Sequence, residues 1–165
     1  VSVADRLPKV KALVMDIDGV LTDGTFTWSS DGVESKSYSF EDVMGLSRAR
    51  AAGIVLALIS GEGGPLVERL GEKLRATFVA SDCKDKARAL REFSDTSGIP
   101  VEHMVYIGDD VNDLEALALA GISVAPANAQ QAVKDAVSIV LERAGGHGAI
   151  RQLTEMLICS RSPAT

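Results

Sequence analysis

Short apolar runs alternate along this chain with stretches whose apolar positions recur every three or four residues. The runs at 11–16 (KALVMD), 53–60 (GIVLALIS), 76–80 (ATFVA), 104–109 (MVYIGD), 122–126 (ISVAP) and, more weakly, 137–141 (VSIVL) predict strands. Helices are expected near 42–52, 65–75, 84–97, 111–120, 128–136 and 148–158. Pro65 suits the first turn of its helix, where a missing N–H costs nothing, and Leu66, Leu70 and Leu74 give that helix its apolar stripe. Strands that are apolar throughout, separated by helices, predict an α/β fold with a doubly wound parallel sheet covered on both faces.

One segment departs from the alternation. TFTWSSDGVESKSYSF (25–40) has period-two character on both sides of Ser-Asp-Gly and predicts a β-hairpin flap inserted after the first strand. An isolated hairpin is marginal in water, so Trp28, Tyr38 and Phe40 on it point to a subunit interface. No repeat, linker or low-complexity stretch divides residues 1–165, and one domain is expected.

Composition narrows the class. With 46% hydrophobic and 24% charged residues the chain is expected to be globular, and a net charge of −6 without a basic block argues against nucleic acid. No apolar run is long enough to span a membrane. Cys83 and Cys159 lack metal-ligand spacing, so free thiols and a reducing cytoplasmic location are expected.

In open parallel sheets, ligands bind beyond the carboxyl ends of the strands. Asp16 and Asp18 follow the first predicted strand, and Ser60, Gly61 and Glu62 follow the second. Asp82 and Lys86 follow the third, and Asp109, Asp110 and Asp113 the fourth. Each suits a phosphate ester. A carboxylate can attack phosphorus, and a second one nearby can move protons to the leaving alcohol and from water. Carboxylates from two strand ends can hold Mg²⁺, which offsets the repulsion between anions. A serine hydroxyl and a lysine ammonium can bind the remaining phosphoryl oxygens. Singly these features are weak: Asp109 or Asp110 could simply cap a helix, and Ser60-Gly61 could be a turn.

Together they resemble the haloacid dehalogenase-like phosphohydrolases: DIDGVLTD as the first motif, Ser60 in LISGE, Lys86 in KDKARAL, and IGDDVND as the fourth. The resemblance implies a Rossmann-like fold, with Asp16 as nucleophile and Asp18 as general acid/base. It also implies Mg²⁺ held by Asp16, the backbone carbonyl of Asp18 and Asp109, with Asp110 and Asp113 in support. No insertion has the length of a cap domain. LTDG, the hairpin and the glycine-rich segment at 145–151 (GGHGAIR) resemble the capless 3-deoxy-octulosonate 8-phosphate and nonulosonate 9-phosphate phosphatases. That group implies a homotetramer joined through its hairpins and a phosphorylated sugar acid as substrate. FEDVMG (40–45) and Arg151-Gln152 depart from the pattern common in the octulosonate branch, where Asp-Gly and Arg-Glu stand.

Glu62 directly after Ser60-Gly61, with Lys73 eleven positions later, is similar to the nonulosonate branch. The expectation is therefore a nonulosonate 9-phosphate phosphatase, with Glu62 on the polyol and Lys73 on the sugar carboxylate. 3-Deoxy-D-manno-octulosonate 8-phosphate is the alternative substrate. A receiver-type signalling domain fits less well, because its phosphorylated Asp follows the third strand, where this chain reads ATFVAS. A non-catalytic assembly module is the other alternative, opposed by the intact Asp16, Asp18, Lys86 and Asp109.

Overall fold

The computed structural model describes residues 2–161. Six parallel strands form the main sheet in the order β5-β4-β1-β6-β7-β8. These are β1 (Ala12–Met15), β4 (Val55–Ile59), β5 (Phe78–Ala80), β6 (Met104–Ile107), β7 (Ile122–Ala125) and β8 (Ile139–Val140). β1 lies at the centre between β4 and β6. The chain winds outward from β1 through β4 to β5, then returns to lay β6 on the other side of β1. The strand order therefore reverses at the β1–β6 boundary, where a crevice opens beyond the strand ends.

The apolar runs are continuous because both faces are buried. Leu13 and Met15 of β1 join Leu56, Leu58, Val105 and Ile107 in one core cluster. Helices α2 (Phe40–Ala51), α3 (Pro65–Leu74) and α7 (Ala149–Cys159) cover this cluster through Leu46, Leu70 and Leu153. Ala12 and Val14 point the other way into a second cluster with Ala57, Ile59, Met104 and Tyr106. That cluster is closed by Leu90 and Phe93 of α4 (Lys86–Ser97), Leu117 of α5 (Leu114–Leu119) and Val133 of α6 (Gln131–Ala136). Full burial of each such side chain stabilises the fold by about 1.5–3 kcal/mol relative to exposure. A short helix α1 (Val3–Arg6), not anticipated from the pattern, precedes the sheet and is capped by Ser2.

The hairpin forms as expected, with β2 (Thr27–Trp28) antiparallel to β3 (Glu34–Ser35). Trp28 and Phe40 are 66% and 82% exposed, while Tyr38 folds back against the core. Element ends shift by a few residues from the periodicity. The helix expected at 111–120 opens as a 3-10 turn, because Asp110 and Asp113 form a capping box around Val111–Asp113. Both cysteines are free. No helix among the described residues is long and apolar enough to cross a membrane.

Candidate active site

Strand geometry brings the predicted acids together. Asp16 leaves β1 and Asp109 leaves β6, the two strands flanking the crevice, and they are the ends of neighbouring parallel elements. Carboxylate oxygens of Asp16, Asp109 and Asp113 lie within 4.8 Å of one another. Gly19 permits this approach. Its φ of +80° suits the turn, and a Cβ there would sit 1.9 Å from Asp109 Oδ2.

Lys86, at the start of α4, is the cationic centre of the array. Its Nζ lies 2.9 Å from Asp16 Oδ2 and 2.8 Å from Asp113 Oδ1, with all three side chains nearly or fully buried. Asp113 is saturated. Oδ1 accepts from Lys86 and from the Tyr106 hydroxyl at 2.8 Å each, and Oδ2 accepts from the backbone N–H groups of Asp109 and Asp110. It therefore acts as a hub that orients Lys86 and the loop carrying Asp109. Asp16 accepts from Ile17 N–H at 2.8 Å through Oδ1 and from Lys86 through Oδ2, and with Asp109 it lines the cavity, so these are the two side chains best placed to hold a divalent cation.

The electrostatics point the same way. Burial and the Asp113 charge outweigh Lys86 and raise Asp16 to about 7. Burial, Asp113 and Asp110 raise Asp109 to about 7 as well. Two carboxylates held in one crevice resist ionisation together, and a cation between them would remove that resistance. The site thus suits a hard, oxygen-seeking metal.

A cavity of about 470 Å³ opens above this array, lined by Asp16, Asp18, Ser60, Gly61, Glu62, Lys86, Asp109 and Asp110 among others. Ser60 is buried at the end of β4, its hydroxyl accepting the Glu62 N–H at 3.1 Å. Glu62 faces both this cavity and an adjoining groove of about 400 Å³ between the hairpin and the start of α3, which Arg69 also lines. Lys73 is the exception. It lies at the far end of α3 in a separate cavity with Arg50 and Arg75. A helix advances ~1.5 Å per residue, so the eight residues after Pro65 carry Lys73 roughly 12 Å along the axis. Glu62 and Lys73, expected on the polyol and on the sugar carboxylate, thus line different cavities of this chain.

Several residues around the site were not singled out by sequence reasoning. Tyr106 sits mid-strand and reads as core, Lys84 lines the cavity from a loop, and Asn112 lines it from the 3-10 turn before α5. Lys36 arrives from the hairpin to contact Asp18. Asn128 donates to the Gly19 carbonyl at 2.9 Å and accepts from Gly145 N–H at 2.7 Å. The glycine-rich segment thereby packs beneath the loop of Asp16 in its own chain. Gly145 is in close contact there: an added Cβ would lie 2.0 Å from the Gly19 carbonyl oxygen. Residues from the two stretches that depart from the octulosonate pattern anchor this segment. Asp42 accepts from Gly148 and Arg151 N–H, and Gln152 from Glu142 and Arg143 N–H.

Residues 75–153 match the family model of the haloacid dehalogenase-like hydrolases. A 3-deoxy-D-manno-octulosonate 8-phosphate phosphatase of Haemophilus influenzae is 35% identical over 93% of this chain and 85% of its own length. The chain belongs to this family. Within it, the chain is a capless phosphatase of the octulosonate 8-phosphate phosphatase group, a phosphoric monoester hydrolase. The Escherichia coli K12 phosphatase of the same name is 30% identical over 94% of this chain and 83% of its own. A Moraxella catarrhalis relative, solved with magnesium, phosphate and KDO, superposes with a TM-score of 0.92. It is 30% identical and covers 96% of this chain and 91% of its own. The cobalt-bound Haemophilus influenzae phosphatase superposes with a TM-score of 0.91 at 34% identity, covering 94% and 91% of the two chains. For this family member, the hairpin is the one insertion between β1 and α2 among the described residues.

Proposed function

We propose that the chain is a Mg²⁺-dependent phosphatase that hydrolyses 3-deoxy-D-manno-octulosonate 8-phosphate through an aspartyl-phosphate intermediate. The observation that carries the reading is the buried Asp16–Lys86–Asp113 array facing Asp109 across the sheet's switch point. Asp16, Asp109 and the Asp18 carbonyl would hold Mg²⁺, which when bound neutralises charge on the phosphoryl oxygens.

Asp16 supplies a carboxylate oxygen to phosphorus, and the ester oxygen departs with a proton from Asp18. Water then attacks the aspartyl-phosphate, and Asp18 takes its proton. Lys86 orients Asp16, and its ammonium and the Ser60 hydroxyl, both lining the cavity, would bind non-bridging oxygens. Asp110 and Asp113 fix the fourth-motif loop.

The octulosonate is preferred over the nonulosonate 9-phosphate for two reasons. The named relatives act on the former, and Lys73 lies outside the cavity that holds Glu62. Glu62 keeps its proposed part as a hydroxyl acceptor beside the sugar chain. The exposed Phe26, Trp28, Phe40 and Met44 support assembly through the hairpins, with the homotetramer as the form proposed. Phosphate release from both sugar acid phosphates with Mg²⁺ tests the substrate, and higher kcat/KM on the octulosonate is expected. Asp16→Asn should abolish release from either, since an amide cannot form the acyl phosphate. Near-normal turnover by that variant would refute the mechanism.

A further inference from the structure

The hairpin is exposed almost throughout, yet one of its charged side chains turns inward. Lys36, just beyond β3, keeps only 8% of its side chain exposed. Its Nζ lies 2.9 Å from both oxygens of Asp18, a bidentate contact between residues eighteen apart. A lysine on an exposed flap ordinarily extends its ammonium into water. Here the ammonium is withdrawn from water and stays charged, because Asp18 and Glu34 outweigh its burial. Asp18 has little else to hold it: the Thr22 hydroxyl is 3.4 Å away.

We infer that Lys36 is a positioning residue for the reaction, fixing the orientation of the Asp18 carboxylate at the edge of the cavity. The inference rests on the function proposed above, in which Asp18 moves protons. The hairpin then does more than cover the site, since it carries the group that orients the acid/base. Displacing a catalytic group by about 1 Å can cost ~10²-fold in rate. Lys36 acts only through Asp18 in this scheme.

The test is a double-mutant cycle on 3-deoxy-D-manno-octulosonate 8-phosphate with Mg²⁺. Lys36→Met should lower kcat roughly ten- to a hundredfold with KM little changed, and Lys36→Arg should recover part of the loss. In an Asp18→Asn background the same Lys36→Met change should alter kcat by less than about twofold, because its target is gone. An equal loss in both backgrounds would overturn the inference. A collapsed hairpin would produce that result, because it would impair every step alike. A raised KM with kcat intact would overturn it too, and would make Lys36 a substrate contact. Wild type that releases phosphate from neither sugar acid phosphate would overturn this inference and the proposed function together. Active wild type with additive losses overturns the Lys36 inference alone.

Discussion

Replacing Lys86 by Met tests the central array most directly, because it keeps the volume and removes the charge. In the native protein the ammonium is 2.8–2.9 Å from two buried carboxylates. At an effective dielectric of ~20, each contact corresponds to about 6 kcal/mol of attraction. Desolvating the ammonium cancels several kcal/mol of that, so a net loss of ~3–5 kcal/mol is expected at pH 8 without metal. For a chain of this size that lowers Tm by roughly 6–20 °C. The pH dependence has a definite sign. Lys86 is raised above its ordinary value and stays charged from pH 6 to 8, so its own titration contributes nothing there. Without it, Asp16 holds its proton more tightly in the folded state, and the variant loses stability relative to wild type as pH rises. Urea unfolding at pH 6 and pH 8 in EDTA reads both effects. A loss below about 1 kcal/mol, or a gap that narrows towards pH 8, would refute the reasoning.

Two further outcomes follow from the same structure. Asp16 and Asp109, each raised to about 7, contribute stability at low pH that is lost as pH climbs through about 7. The Tm gained on adding Mg²⁺ should therefore be larger at pH 8 than at pH 6, and equal gains in a thermal scan would contradict the metal assignment. Trp28→Ser with Phe40→Ser should reduce the mass seen by light scattering while Tm of the subunit changes little, since both rings are exposed; an unchanged mass would place the interface elsewhere.

The fold was legible because burial on both faces leaves an unmistakable mark on a strand: ALVM, VLALI and MVYI contain no polar residue, and each ends where chemistry begins. The acids could be placed for the same reason, since a strand end fixes which edge of the sheet they join. Contacts between distant segments left no local trace. Lys36 reads as one more flap lysine, Tyr106 as a core aromatic and Asp42 as a first-turn acid; their partners lie 18, 7 and more than 100 positions away. Lys73 comes from the resemblance to the nonulosonate branch alone, and the spacing of eleven residues does not say which cavity it lines.

The packing of Gly145 and Asn128 under the Asp16 loop sets the size of the smallest working unit. The last of the four motifs ends at Asp113, yet the floor beneath the first is laid some thirty residues later and is pinned to α2 through Asp42. A chain shortened after the fourth motif would keep every proposed catalytic side chain and lose the bed on which the first loop rests. Transplanting this site into another scaffold therefore requires carrying α7 and the segment before it, although neither contributes a reacting group.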